Sequence, residues 1–419
     1  MATVHVIGAG LAGLSAAVRL ANAGRRVAVA EATDHAGGRC RSYRDAVLDR
    51  AIDNGNHLIL SGNRSAMAYL ADTGARDTLL TLDEAAFPFV DLATGRRWTV
   101  RMNRGRLPWW IAAAGRRVPD SGVMDYLEAG YRLARAGPED TVTGVLDTSR
   151  PLFQRFWQPM AVAVLNTEVE CAAAHLLWPV LTETFARGGA ACLPCLTRDG
   201  LSPSLVDPAL KLLADRSMPV RFNRRLKSLS VAADRVDALV FGDETVRLAA
   251  DDTVVLALPA TTAAGLLPDL TVPESSRPIV NAHFRLAAPP ARPIPFLGML
   301  GGTAEWLFLR GDVVSVTVSA ASALADVAAE EVAEALWRDV AAALELDGGS
   351  LPPHRIIKER RATFAQTPAE VARRPAARTR WRNLVLAGDW TDTGLPATIE
   401  GAIRSGHTAA DVVLNGRTG

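Results

Sequence analysis

The chain has 419 residues, 49% of them hydrophobic and 22% charged, with a formal net charge of +1. That length suggests two or three domains around a large core, and the near-neutral balance excludes nucleic acid as the main partner, because a phosphate-binding surface shows as a basic excess. No run of 18 or more apolar residues occurs, so no transmembrane helix is expected, and the first strand starts too near Met1 to leave room for a secretory signal.

Val4, Val6 and Ile7 form a short β run, and Gly8-x-Gly10-x-x-Gly13 follows at once. The glycines open an apolar helical pattern through Leu14, Ala17, Val18 and Leu20, which Gly24 stops. Val27 and Val29 make the second strand and Glu31 closes it. Gly8 permits the tight turn, Gly10 lets the backbone approach a pyrophosphate, and Gly13 lets helix and strand pack closely. The helix N-terminus offers unpaired N–H groups and a positive dipole end. Glu31, twenty-one residues after Gly10, is placed to accept the hydroxyls of an adenosine ribose. Gly37-Gly38-Arg39 adds a second close backbone approach and a planar cation for phosphate oxygens.

The pattern then predicts a strand over 47–53, a polar turn at Asn54-Gly55-Asn56-His57, a helix over 65–74 and a hairpin of 87–90 with 97–102. From 108 to 187 helical patterns dominate in a strongly apolar block that holds Trp109, Trp110, Phe153, Phe156, Trp157, Trp178 and Phe185. Arginines interleave with tryptophans over 96–117, a composition suited to an anionic membrane surface as well as to a solvated basic face. Strands are expected over 219–222, 226–231, 236–240, 245–248, 252–259, 279–286, 306–309, 313–319 and 355–364, with one amphipathic helix over 325–346. A buried strand over 383–387 delivers Gly388-Asp389-Trp390 at its carboxyl end, and Pro396-Ala397-Thr398-Ile399-Glu400 opens a last helix running to about 414. Ligands of open α/β sheets lie outside the carboxyl ends of the strands, so Asp389 and this helix start are expected to face the same cofactor as Gly10.

The four cysteines suit a reducing compartment. Cys192-Leu193-Pro194-Cys195 lacks a second CxxC or an HxxxH, so it reads as incidental cysteines in a loop and no metal site is expected. Only three of the 46 Lys plus Arg residues are lysine (Lys211, Lys227 and Lys358), which restricts lysine chemistry to those positions.

The pairing of the GxGxxG–Glu31–Gly37-Gly38-Arg39 end with the Leu386-Ala387-Gly388-Asp389 and Ala397-Thr398-Ile399-Glu400-Gly401-Ala402 end resembles the flavoprotein superfamily of amine oxidases and carotenoid desaturases. Asn54-Gly55-Asn56-His57, Phe156-Trp157-Gln158-Pro159 and Pro278-Ile279-Val280-Asn281-Ala282-His283 narrow the likeness to the squalene-associated FAD enzymes of bacterial hopanoid pathways. The resemblance implies an α/β fold: a Rossmann-like FAD-binding domain of the GR2 type, discontinuous over 1–85, 205–270 and 375–419. An α+β substrate domain is inserted over 86–204 and 271–374. It further implies that Gly8, Gly10, Gly13, Gly37, Gly38 and Arg39 cradle the FAD pyrophosphate and that Glu31 holds the adenosine ribose. Leu226 would offer backbone to adenine, and Gly388 with Asp389 would bind the ribityl or pyrophosphate side. The N–H groups of Thr398 and Ile399 would aim the helix dipole at the flavin N1/O2 edge, where reduced flavin carries charge.

The activity so implied is reductive loss of an allylic hydroxyl from hydroxysqualene. It requires a donor to the leaving hydroxyl, walls that tolerate an allylic cation, and an apolar seat for a long polyprenyl lipid. His57 is the first candidate donor because it follows a glycine turn near the cofactor motifs, with a structural role as its rival; Asn281 and His283, on one face of a strand, come next. A carotenoid desaturase would share fold and cofactor but send electrons from substrate to flavin. An amine oxidase would carry a lysine where this chain has Asn281 and His283, and a flavin-bearing scaffold for prenyl lipids would not turn over at all. Gly298-Met299-Leu300-Gly301-Gly302 lacks the setting of a second nucleotide site, so the electron donor is left unidentified. The expected location is cytoplasmic, with peripheral contact to the inner membrane.

Overall fold

The computed structural model describes residues 2–242, 244–290 and 294–416; residues 1 and 417–419, assigned above to the cofactor domain, lie outside the described set. A four-stranded parallel sheet runs in the order Leu384–Leu386, Thr253–Leu256, Thr3–Ile7, Arg26–Ala30. Its strands are short apolar runs buried on both faces, as parallel sheets require. Three distant pieces of chain therefore end side by side, and their carboxyl ends carry residues 8–13, 257–259 and 387–390.

The opening helix Leu11–Asn22 covers one face and packs on the closing helix Ile399–Asn415. The helices touch backbone to backbone: a Cβ on Gly406 would lie 2.2 Å from the Ala12 carbonyl oxygen. The antiparallel sheet Ser228–Ala232, Arg235–Phe241, Glu244–Arg247 shares a core with Ile7, Val254 and Leu256 of the parallel sheet.

A second, seven-stranded sheet has the order His354–Phe364, Ser276–Arg285, Val313–Val318, Trp306–Arg310, Phe296–Leu300, Ala86–Asp91, Arg97–Arg101. The alternation of its central strands sorts the side chains. Val280, Ala282, Phe284, Val314, Val316 and Val318 pack with the helix Ala329–Leu344, which leaves Asn281, His283, Ser315 and Thr317 for the opposite face. At the far end, Phe87, Phe89, Phe296, Trp306 and Phe308 join the helices Val123–Ala134, Gln158–Leu165 and Leu177–Glu183 in one aromatic block. Two buried amides tie this block to the rest. Asn166, left-handed (φ 45°) at the end of Gln158–Leu165, donates to the Arg277 carbonyl and Thr363 Oγ1 and accepts from Ala320 N–H. Gln366 donates to the Leu165 carbonyl and accepts from Ala397 N–H.

Five local expectations change. The strand over 47–53 is the hairpin Ser42–Asp45 with Arg50–Asp53; Asp45 accepts from Val47 and Leu48 N–H and Asp49 sits at φ 48°, so the apolar Val47-Leu48 pair is a turn. Residues 219–222 make only a single parallel bridge, Ala30 with Arg221, because Pro219 has no N–H to give and Asn223 turns left-handed at φ 56°. The helix over 325–346 is two, Ser322–Asp326 and Ala329–Leu344, broken where Val327 turns extended and its carbonyl takes Lys358 Nζ. Leu226 precedes its strand, buried in the core with Ile7 and Ala30. The CxxC is not a loop throughout: Cys195 lies in the strand Pro194–Thr197, and both cysteines are buried free thiols.

Candidate active site

The glycine turn behaves as its spacing requires. A Cβ on Gly8 would lie 2.3 Å from the Ala257 carbonyl oxygen and one on Gly13 would lie 1.9 Å from that of Gly8, so strand, turn and helix are in backbone contact. Gly10 is different: a Cβ there meets no protein atom within 4 Å. The helix Leu11–Asn22 starts at Gly10 with no side-chain cap, so its first N–H groups stand free beside that open space, the arrangement that receives a diphosphate. Gly37 (φ 97°) donates its N–H to the Ala9 carbonyl at 2.8 Å and brings Gly38 beside Gly10, where a Cβ on Gly38 would lie 3.5 Å from Gly10 Cα. Two glycine turns thus form one cradle. Glu31 Oε2 accepts from Ala9 N–H and Oε1 from Thr33 N–H and Oγ1, which fixes the carboxylate at the rim with lone pairs to spare.

Arg39 and Asp389, 350 residues apart, are paired at 2.7 Å, and Arg39 also donates to the Ala362 carbonyl. The Asp389 carboxylate raises the Arg39 pKa, so the guanidinium stays charged. From this pair a hydrogen-bonded chain runs to the second sheet. Asn54 Nδ2 donates to the Arg39 carbonyl at 3.5 Å and Asn281 Nδ2 to the Asn54 carbonyl at 3.3 Å. Thr317 Oγ1 donates to Asn281 Oδ1 at 2.8 Å and accepts from Asn56 Nδ2 at 3.0 Å. Strand register makes this possible, since Asn281 is directly opposite Thr317.

Gly55 sits against this chain. The point where its side chain would begin is 3.4 Å from Asn281 Nδ2 and 3.7 Å from His57 Nε2. The sequence candidates His57 and Asn281 are therefore brought together. The His57 ring is exposed yet densely surrounded, as expected of a cleft-lining group. Desolvation by the protein crowding the ring lowers its pKa, Asp53 opposes this, and Arg39 reinforces it. His283 lies two residues along the same face but is fully buried, with Nδ1 on Ser315 Oγ at 2.7 Å and Nε2 without a partner. Burial pushes its pKa down to about 4, so the ring is neutral at physiological pH.

At the closing helix, Thr398 is the N-cap: its Oγ1 accepts from Gly401 N–H and its own N–H goes to the Pro396 carbonyl. Ile399 is the first helical residue, and the first turn aims its N–H groups outward. The aromatic block reaches the site through Leu58, next to His57, and through Trp306, which pairs with Thr317.

The chain matches the family model for flavin containing amine oxidoreductase over residues 11–414. It is 48% identical to hydroxysqualene dehydroxylase of Rhodopseudomonas palustris over 98% of both chains, and 47% identical to that of Sinorhizobium fredii, again over 98% of both. The chain belongs to the flavin-containing amine oxidoreductases, in the hydroxysqualene dehydroxylase branch. The structure of putrescine oxidase bound to putrescine superposes with a TM-score of 0.71 over 99% of both chains at 15% identity, a likeness of fold.

Several groups that matter to this flavin-containing amine oxidoreductase were given no role by the sequence. Buried Arg374 donates to the carbonyls of Asp389, Thr391 and Leu395 and so fixes the loop that presents Asp389. Burial lowers its pKa. Glu400, buried, accepts from Ser65 and Ala66 N–H and thereby caps the helix Arg64–Asp72 from the closing helix. Thr317 and Asn56 complete the polar chain. Only the alternation Val314-Ser315-Val316-Thr317-Val318-Ser319 hinted at a polar strand face there. Among the described residues, no group of His, Cys, Asp and Glu is arranged to hold a metal ion.

Proposed function

We propose that the protein is an FAD enzyme that converts hydroxysqualene to squalene by replacing an allylic hydroxyl with hydrogen. Likeness to hydroxysqualene dehydroxylases over nearly the whole of both chains carries this reading. The site supports it: the paired glycine turns, the uncapped helix start and rim Glu31 fit the diphosphate and ribose of FAD.

Bound in its reduced form, FAD would supply a hydride that carries both electrons; the C–O bond would break with the oxygen leaving as water after one added proton, and a C–H bond would form. The chain's own residues set the stage. Thr317 and Asn56 lock the Asn281 amide with its oxygen toward Thr317, so its N–H groups face Gly55 and His57. Asn281 and His57 together can hold the departing hydroxyl, and the dry aromatic block beside them keeps water from the carbon centre while its ring faces favour positive charge. Arg39, Arg374 and the closing helix keep Asp389 and the N–H groups near Ile399 in place.

Lysine plays no part on this face. Lys358 pairs with Val280 in the neighbouring strand, and its Nζ goes to the Val327 carbonyl on the helix side of the sheet. An amine oxidase reading therefore gains nothing from it.

The test is anaerobic: reduced protein mixed with hydroxysqualene should form squalene as flavin reoxidises, and desaturation of a polyene by the oxidised protein instead would sink the proposal. Because His57 is held below the ordinary 6.5, its charged form dominates only at acid pH. Turnover that depends on the imidazolium falls as pH rises through that lowered value, and the pH–rate profile of His57→Gln should lose this limb.

A further inference from the structure

The helix Val123–Ala134 is apolar on two sides. Ala129 and Leu133 are buried in the aromatic block, the usual inward stripe. Met124, Leu127 and Tyr131, spaced i, i+3 and i+7 on the opposite stripe, are 69%, 51% and 60% exposed. The turn Trp109–Ala112 packs on this helix, with the Trp110 ring edge-on to Tyr126 at 5.3 Å. Beside it Leu107 and Trp109 are 81% and 56% exposed. Five of the nine large exposed hydrophobics among the described residues thus fall on two adjoining segments. Trp110 itself is buried, so only Trp109 of that pair reaches out.

Some of the cations around this face are uncompensated. Arg104, Arg106 and Arg116 have no ion pair among the described residues, whereas Arg96, Arg132 and Arg150 each hold a carboxylate. Arg116 lies over the Trp109 ring at 5.0 Å and Arg135 over Tyr131 at 4.8 Å.

We infer that this face docks the protein on an anionic lipid bilayer. Anionic headgroups neutralise the arginines while the Trp, Tyr, Leu and Met side chains enter the interfacial layer. A second copy of the chain fits less well, because a two-fold contact would set the same arginines against one another. The placement has a consequence that rests on the substrate reading above. The inner stripe of this helix lines the aromatic block, so a polyprenyl chain passes from bilayer to apolar interior across about one helix diameter, roughly 10 Å.

The flavin-loaded protein is sedimented with vesicles of phosphatidylcholine alone, or with roughly 30% phosphatidylglycerol. It should pellet with the anionic vesicles and be released by salt. Replacing Met124, Leu127 and Tyr131 by Ser should weaken binding at least about tenfold, with an unchanged melting temperature because all three are exposed. Arg104→Gln with Arg106→Gln should weaken only the anionic-vesicle binding. Parent protein left in the supernatant of both vesicles overturns the inference, as does undiminished binding by the triple-Ser variant. A lipid-free dimer that the same variant makes monomeric overturns it in favour of self-association. Substrate is absent from these arms, and squalene formation from detergent-dispersed hydroxysqualene by the triple-Ser variant reports separately on the activity.

Discussion

The cofactor cradle and the polar face of the second sheet are built in opposite ways. The cradle is backbone: Gly8, Gly13 and Gly37 allow main-chain contacts that any side chain would block, and Gly10 borders open space. The sheet face is side chain: Asn281, Thr317 and Asn56 are assembled by strand register and a loop across more than 200 residues. A backbone site tolerates almost no substitution at its contact points. A side-chain site can lose a member and still fold, so the two regions should fail differently.

The largest effect is expected at Gly13→Val. A Cβ placed 1.9 Å from a carbonyl oxygen cannot be absorbed by a flexible side chain. The cost should exceed about 3 kcal/mol, read as insoluble protein or protein purified without flavin absorbance. Gly10→Ala sharpens the contrast within the cradle. Its Cβ meets no protein atom within 4 Å, so apo-protein stability should hold while FAD affinity falls by about a hundredfold, or about 2.7 kcal/mol; equal loss of both would show that the open space belongs to the fold.

Asn281→Ala should leave flavin bound and lower kcat by about thirtyfold, since it removes a positioned donor without touching the cradle. Flavin loss in this variant would merge the two regions into one. The smallest effect at neutral pH is at His283→Gln. Above pH 6.5 the ring is neutral folded and unfolded; from 6.5 down to about 4 the unfolded chain takes up a proton the folded one refuses. Stability should therefore fall with pH by about 1.4 kcal/mol per unit, saturating near roughly 3 kcal/mol. Urea midpoints between pH 6.5 and 4 should be flatter in the variant.

The same contrast explains what could be read from the sequence. Gly8-x-Gly10-x-x-Gly13, Glu31 and Gly37-Gly38-Arg39 are legible because a turn's geometry is set by neighbours in the chain. Asp389 is legible because it ends a buried strand. Thr317 is not, since Ser and Thr alternating with Val look the same on a solvated sheet as on a cleft wall. Gln366 and Arg374 bind carbonyls of distant loops and leave no local pattern. The continuous 325–346 helix failed because apolar periodicity carries across Val327, where a contact from Lys358 on another strand goes to its carbonyl. In Trp109-Trp110, identical neighbours take opposite environments, which only the packed helix Val123–Ala134 decides.

The central claim is that cradle and sheet face act together to deliver hydrogen to the carbon that loses its hydroxyl. Anaerobic single turnover in D2O by protein carrying reduced flavin tests it directly. Squalene carrying one deuterium at that carbon, formed in step with flavin reoxidation, is the predicted result; squalene without deuterium, or flavin that stays reduced beside unchanged substrate, would contradict it.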